Sequence, residues 1–83
     1  MPRHAKLAKT ARIFGAQLRR RRLELGLTQE EYAHRSGIDI SFISHVERGL
    51  TQPSIGVLMQ MAKVLNTRGS VMMSELEDSL LDK

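Results

Sequence analysis

The stretch TQEEYAHRSGIDISFISHVERG, residues 28–49, decides the fold. A small residue, Ala33, lies four positions before Gly37, and Ile43 and Val46 follow at helical spacing. Two helices that cross steeply need a small residue at their contact, and a tight turn between them needs a residue that tolerates positive φ, as glycine does. The stretch therefore predicts two short helices joined at Gly37. The second helix is anchored by its inner apolar residues and leaves its other side exposed.

Capping signals mark the ends of these two helices. Thr28 and Glu31 have the spacing of a capping box, in which each side chain bonds the other residue's backbone N–H. Asp39 is a good N-cap for the second helix, which we expect to run to about Arg48, and Gly49 then ends it.

Three further helices are expected on the same criteria, at residues 10–25, 54–65 and 74–81. The first has an apolar stripe with a helical period and ends at Gly26. The stripe expected for the fourth helix consists of Ile55, Leu58, Ala62 and Leu65. The sequence leaves open whether residues 71–73 extend the last helix or pack ahead of it. The prediction is an all-α bundle of five short helices, with a basic arm at 1–11, a helical domain at 12–66 and a C-terminal helix at 67–83.

Composition agrees with a small helical domain and excludes several kinds of chemistry. The 83 residues are 41% hydrophobic but only 4% aromatic, so the core must be aliphatic. Without cysteine the chain has no disulfide, thiolate metal site or cysteine nucleophile. The three histidines fall on different elements, and the side chains of Ser44 and His45 diverge as helix neighbours. We therefore expect no metal, no cofactor, no small-molecule ligand and no enzymatic activity.

The charge is divided between the two ends of the chain. Residues 1–22 contain no acid, whereas residues 75–83 contain four acids and one lysine, within a net charge of +4. A basic end suits DNA, RNA or a membrane surface, but it is also typical of a solvated helix face. No apolar run approaches the roughly 20 residues of a membrane span, so a soluble, cytoplasmic protein is expected. The basic residues of the first segment are Arg3, Lys6, Lys9, Arg12, Arg19, Arg20, Arg21 and Arg22.

Several spaced elements together resemble the Cro/repressor, or XRE, family of helix-turn-helix DNA-binding proteins. The resemblance covers residues 12–66. In length and architecture the chain is also similar to the controller proteins of restriction–modification systems, which belong to that family. The matching elements are Leu25-Gly26-Leu27-Thr28-Gln29-Glu30-Glu31, Ala33, Gly37, Phe42-Ile43-Ser44, Val46-Glu47-Arg48-Gly49 and Pro53-Ser54.

The resemblance implies a lambda repressor-like fold and a transcriptional regulator that binds a pseudo-palindromic operator in double-stranded DNA. It makes the helix after Asp39 the recognition helix, whose exposed residues read bases, and it assigns Gln29 to a phosphate. The residues expected to read bases or adjacent backbone are Ile40, Ser41, Ser44 and His45. The expected phosphate contacts are Gln29, Arg19, Arg20, Arg48 and Thr51, with further contacts from Arg21 and from Lys6, Lys9 and Arg12.

Two charged residues stand at core-facing positions. Arg22 follows Leu18 by one turn, and Glu47 follows Ile43 by one turn. A charge on a core-facing stripe needs a partner. The resemblance implies that Arg22 and Glu47 join in a buried structural ion pair.

The C-terminal segment carries apolar residues beyond the part that resembles the family. A homodimer would double the DNA contact and place two recognition helices about 34 Å apart, so we expect this segment to form the dimer interface. The alternative is that the last helix folds back onto its own core. Two other functions stay open: an antitoxin-like or adaptor protein that binds a partner protein through this helix, and an RNA or membrane-surface binder. The expected interface residues are Val71, Met72, Leu76, Leu80 and Leu81.

Overall fold

Five α-helices account for the regular structure of residues 3–81, which are the residues that the computed structural model describes. No strand occurs among them. Residues 1–2 and 82–83, at the outer ends of the expected arm and C-terminal segment, lie outside the described residues, as do the side chains of residues 3–6, including Arg3 and Lys6. The helices are α1 (Arg3–Glu24), α2 (Gln29–Ser36), α3 (Ile40–Glu47), α4 (Ile55–Val64) and α5 (Gly69–Leu81).

The core is aliphatic apart from two rings, Phe14 and Tyr32. Helix α1 packs against α3 on one side and α5 on the other, while α4 packs against α2 and α5. Tyr32 is fully buried, and its hydroxyl donates to the Met61 carbonyl at 2.9 Å. This bond satisfies the one polar atom of the ring and ties α2 to α4. Burial raises the pKa of Tyr32 well above its ordinary value.

Two helices begin earlier than their sequence signals predict. Helix α1 begins at Arg3 rather than at residue 10. The preceding stretch is rich in alanine, lysine and leucine, which favour helix, and nothing in it breaks one. Helix α5 begins at Gly69, so the expected start at Ser74 is wrong. The first turn is closed by a hydrogen bond from the Met72 amide to the Arg68 carbonyl at 3.1 Å. This early start places Met72 in the core, where it is fully buried.

The prediction that Ile55 belongs to the core stripe of α4 is also wrong, since this side chain is 75% exposed. Ile55 is the first residue of the helix, and this end of α4 lies outside the core. Met61 is fully buried instead, and it completes the inner face with Leu58, Ala62 and Leu65.

Helix α5 folds back onto its own domain. Met72 is fully buried, Leu76 is buried and Leu80 packs against the core. The prediction that Met72 and Leu76 form a dimer interface is therefore wrong, because their own chain already covers them. For these two residues the fold-back alternative describes the structure. Val71 and Leu81 remain exposed.

Candidate nucleic-acid interface

The turn between α2 and α3 has the geometry of a helix-turn-helix. Gly37 caps α2 in the left-handed region at φ +70°, and its N–H donates to the Ala33 carbonyl at 2.9 Å. The capping box at the start of α2 is complete, with Glu31 N–H to Thr28 Oγ1 at 3.0 Å and Thr28 N–H to Glu31 Oε1 at 2.8 Å. Asp39 caps α3 by accepting from the Ser41 amide at 2.7 Å. Both helix starts are therefore fixed by local bonds.

Helix α3 has one buried side and one side that faces solvent. Ile43 and Val46 are fully buried, while Ser41 and His45 are exposed. Ile40 is 40% exposed. Ser44 is half-buried on the same outer side. The four residues expected to read bases thus share the outer side of a helix whose inner side is held by the core.

The pair expected between Arg22 and Glu47 is present and bidentate. Arg22 Nε donates to Glu47 Oε2 at 2.6 Å, and a terminal nitrogen donates to Oε1 at 2.8 Å. The other terminal nitrogen donates to the Leu27 carbonyl at 2.7 Å. The two residues are only 6% and 9% exposed. The bond to Glu47 raises the pKa of Arg22, so the guanidinium stays charged while it joins α1, α3 and the loop before α2.

Gln29 belongs to the same network. Its Nε2 donates to Glu47 Oε1 at 3.1 Å, and the side chain is half-buried. Gln29 and Ile40 also line one surface depression together with Leu23 and Thr28. The beginning of α2 therefore lies beside the beginning of α3, and the residue expected to bind phosphate adjoins those expected to read bases.

The four consecutive arginines, residues 19–22, differ in their partners. The sequence alone had distinguished only Arg22 from the other three. Arg22 is committed to Glu47. Arg20 lies 3.4 Å from Glu24 and 3.4 Å from Glu75, and Arg21 lies 2.9 Å from Glu75. A hydrogen bond from Gln17, followed by the bond from Arg21, lowers the pKa of Glu75. Arg20 and Arg21 thus have a carboxylate partner on α5, whereas Arg19 has no ion pair among the described side chains; Arg19 and Arg20 are both exposed.

Two close approaches of α1 to the end of α3 were not foreseen. A methyl group on Gly15 would overlap the Val46 carbonyl oxygen and lie 2.8 Å from that of Glu47. A methyl group on Gly49, which has φ +74°, would lie 2.9 Å from Arg12 Cα. A glycine inside a helix is the one sequence signal that could have pointed to such a contact.

The remaining phosphate candidates lie at this end of α3 or just beyond it. Arg48 follows the helix as its C-cap and is exposed, and Thr51 is half-buried in the loop that leads to α4. No helix among residues 3–81 is long and apolar enough to cross a membrane. The same residues contain no cluster of three or more histidine and carboxylate side chains placed to hold a metal ion.

Comparison with known proteins identifies the class that this geometry defines. A family model described as Helix-turn-helix, HTH_3, matches residues 18–71. The chain belongs to this HTH_3 family of helix-turn-helix proteins. It is 39% identical over 56 residues to the HTH-type transcriptional regulator YazB of Bacillus subtilis, which covers 68% of this chain and 81% of YazB. The chain spans only 41% of the length of the HTH-type regulators of Mycobacterium tuberculosis that it also matches.

Solved structures of restriction–modification controller proteins have a similar fold. C.AhdI of Aeromonas hydrophila aligns with a TM-score of 0.71 and 34% identity, covering 75% of this chain and 94% of that protein. C.Esp1396I, solved as a tetramer in complex with its natural 35 base-pair operator, aligns with a TM-score of 0.75 and 29% identity. That alignment covers 88% of this chain and 96% of C.Esp1396I.

Proposed function

We propose that the protein is a sequence-specific DNA-binding transcriptional regulator that binds a pseudo-palindromic operator as a homodimer in the cytoplasm. It acts by binding alone, without a catalytic step. The observation that carries this proposal is the two-sided character of α3, which is anchored by Ile43 and Val46 and exposes Ser41 and His45. An exposed polar side on a rigidly held helix suits the major groove.

Each exposed residue of α3 has a role that its chemistry permits. The hydroxyls of Ser41 and Ser44 and the imidazole of His45 bond base edges, and Ile40 contacts a thymine methyl. Gln29 binds a phosphate at the start of α2, with one N–H on Glu47 and the other free for DNA. Arg19, Arg48 and Thr51 supply further backbone contacts.

We propose that the two copies meet along an apolar stripe formed by Ile55, Met59 and Met73. Ile55 and Met59 lie one turn apart on α4, and both are exposed. Met59 lies close to Gly69 on α5, where an added methyl group would be 3.1 Å from Met59 Cγ, and Met73 lies one turn beyond Gly69 and is half exposed. The stripe contains no charge, although 27% of the chain is charged. The tetrameric state of C.Esp1396I on its operator supports assembly of copies on DNA.

The first experiment selects bound duplexes from a random pool. A pseudo-palindrome with half-sites about one helical turn apart is the expected product. Ser41→Ala and His45→Ala should then each weaken binding to the selected duplex by about 1–3 kcal/mol, and by much less on a scrambled duplex.

Glu77→Ala is the matched control, because Glu77 is exposed on α5 and does not line the depression that Gln29 and Ile40 share. It should leave the preference for the selected duplex unchanged. A pool without an enriched sequence, or equal losses on selected and scrambled DNA for both α3 variants, would contradict base recognition by α3.

A further inference from the structure

The five arginines of α1 whose side chains the structure describes fall into two groups, according to whether an acid of the same chain binds them. Arg20, Arg21 and Arg22 each have a carboxylate partner, on α1, α5 or α3. Among the side chains described, no ion pair involves Arg12 or Arg19, and both are exposed. No carboxylate among the described side chains competes for these two guanidinium groups with a partner from outside the chain.

Arg12 and Arg19 share one face of α1. Seven residues separate them, which is two helical turns and about 10 Å along the axis. Arg20 and Arg21 lie on the side that faces α5, where Glu75 binds both of them. Arg19 and Arg20 line one depression, so the two groups are separated by their carboxylate partners and not by position alone.

The face that carries Arg12 and Arg19 lies beside the C-terminal end of the recognition helix. Arg12 packs over Gly49 with its backbone and the base of its side chain, and Arg19 lines a surface depression together with Glu47, Leu23 and Arg20. Gly15 holds α1 in this position by direct contact with the last carbonyls of α3. Arg48, which is also exposed, follows the same end of α3.

We infer that Arg12 and Arg19 form a second phosphate-binding edge, carried by α1 and continuous with Arg48 at the end of the recognition helix. Arg20 and Arg21 are not part of this edge, because Glu75 holds them towards α5. The inference rests on the proposed function and goes beyond it: it adds Arg12 to Arg19 and Arg48, and it assigns the contact to one face of α1 without Arg20, which the sequence had grouped with Arg19. The ligand is the sugar–phosphate backbone beside the groove that α3 enters.

The test compares three variants that each remove one positive charge from α1: Arg12→Ala, Arg19→Ala and Arg20→Ala. Binding to a mixed-sequence 35 base-pair duplex is measured from 50 to 200 mM salt. The slope of log K against log salt is negative, and each lost phosphate contact reduces its magnitude by about 0.9, or about 1.8 for a homodimer. Arg12→Ala and Arg19→Ala should show this loss, and Arg20→Ala should retain the slope of the unaltered protein.

The matched design excludes two simpler explanations. An effect of net charge alone would reduce the magnitude of all three slopes equally, and this result would overturn the inference. A purely structural role, in which the arginines stabilise the negative end of the α3 dipole, would lower the thermal midpoint of Arg12→Ala and Arg19→Ala without changing their slopes. That result would also overturn it.

Failure of the α1 edge and failure of the proposed function give different results. The same duplexes, selected and scrambled, report whether the unaltered protein prefers a sequence. If it does, and the three slopes are equal, the α1 edge is wrong while base recognition stands. If it does not, but the slopes of Arg12→Ala and Arg19→Ala fall in magnitude, the edge stands as a contact to DNA without sequence recognition.

Discussion

At the scale of single residues, the carboxylate of Glu47 connects the parts of the interface. Its two oxygens accept three donors, two from Arg22 on α1 and one from Gln29 on α2. A buried charge pair contributes little net stability, but removal of one partner leaves the other charge buried and unpaired, which is strongly destabilising. The pair therefore fixes the position of the recognition helix relative to the start of α2.

We expect Glu47→Ala to lower the free energy of unfolding by about 3–5 kcal/mol, because it leaves a buried guanidinium without its carboxylate. Denaturant melts measure the change. Glu30→Ala removes an exposed acid and serves as the control, with little change expected. A loss below about 1 kcal/mol for Glu47→Ala would mean that the pair is solvated in solution.

At the scale of elements, the contact of α1 with α3 depends on backbone meeting backbone at Gly15. Alanine normally stabilises the interior of a helix relative to glycine, by up to about 1 kcal/mol. At Gly15 the added methyl group meets the carbonyls of Val46 and Glu47, which cannot rotate away. At Gly56, on α4, the same methyl group meets nothing within 4 Å.

The two glycines should therefore respond in opposite directions. Gly15→Ala should destabilise the protein by about 1–3 kcal/mol, as overpacking does. Gly56→Ala should stabilise it by about 0.5–1 kcal/mol. Thermal or denaturant melts of both variants decide the matter, and stabilisation by Gly15→Ala would show that α1 and α3 are less close than described.

Glu75 supplies the charged part of the contact of α1 with α5, and its lowered pKa makes this part sensitive to pH. The folded state holds the proton less tightly than the unfolded chain does. The contribution to stability is therefore present above the ordinary pKa of 4.5 and is lost as the pH falls through the lower, folded value.

Glu75→Gln should accordingly lower the thermal midpoint at pH 7 and converge with the unaltered protein as the pH falls well below 4.5. Glu77→Gln makes the same change of charge at an exposed position on α5 and should differ little at any pH. A constant difference for Glu75→Gln across the titration would show that its ionisation does not stabilise the α1–α5 contact.

At the scale of the whole molecule, the distribution of exposed apolar residues bears on assembly. Helix α5 uses Met72 and Leu76 for its own core, so a dimer must use other side chains. The stripe that includes Ile55 and Met59 lies on α4 and the edge of α5. Val71 and Leu81, two of the residues first expected at the interface, are exposed on α5 outside this stripe.

Two pairs of substitutions test which of these two surfaces forms the dimer interface. Ile55→Glu with Met59→Glu should give a folded monomer with greatly weakened binding to the selected duplex, because charge would be buried between the copies. Val71→Glu with Leu81→Glu should remain dimeric. Sedimentation at micromolar concentration is the measurement. A dimer that survives the first pair and dissociates with the second would move the interface to the outer face of α5.

The sequence by itself determined the central part of this protein. Gly37, the capping box at Thr28 and the N-cap at Asp39 specify α2, the turn and α3 through bonds between residues at most four positions apart. Such local signals can be read without knowing the rest of the fold. The spacing of Arg22 and Glu47 likewise indicated that both charges face the core.

Only the tertiary structure decided which residues far apart in the sequence contact one another. Ser74 carries a local capping signal, yet α5 begins at Gly69, because burial of Met72 outweighs a cap worth about 1 kcal/mol. Arg19 and Arg20 look equivalent in the sequence, and only the return of α5 along α1 brings Glu75 to one of them and not the other. Packing between helices depends on the path of the whole chain, which no local pattern contains.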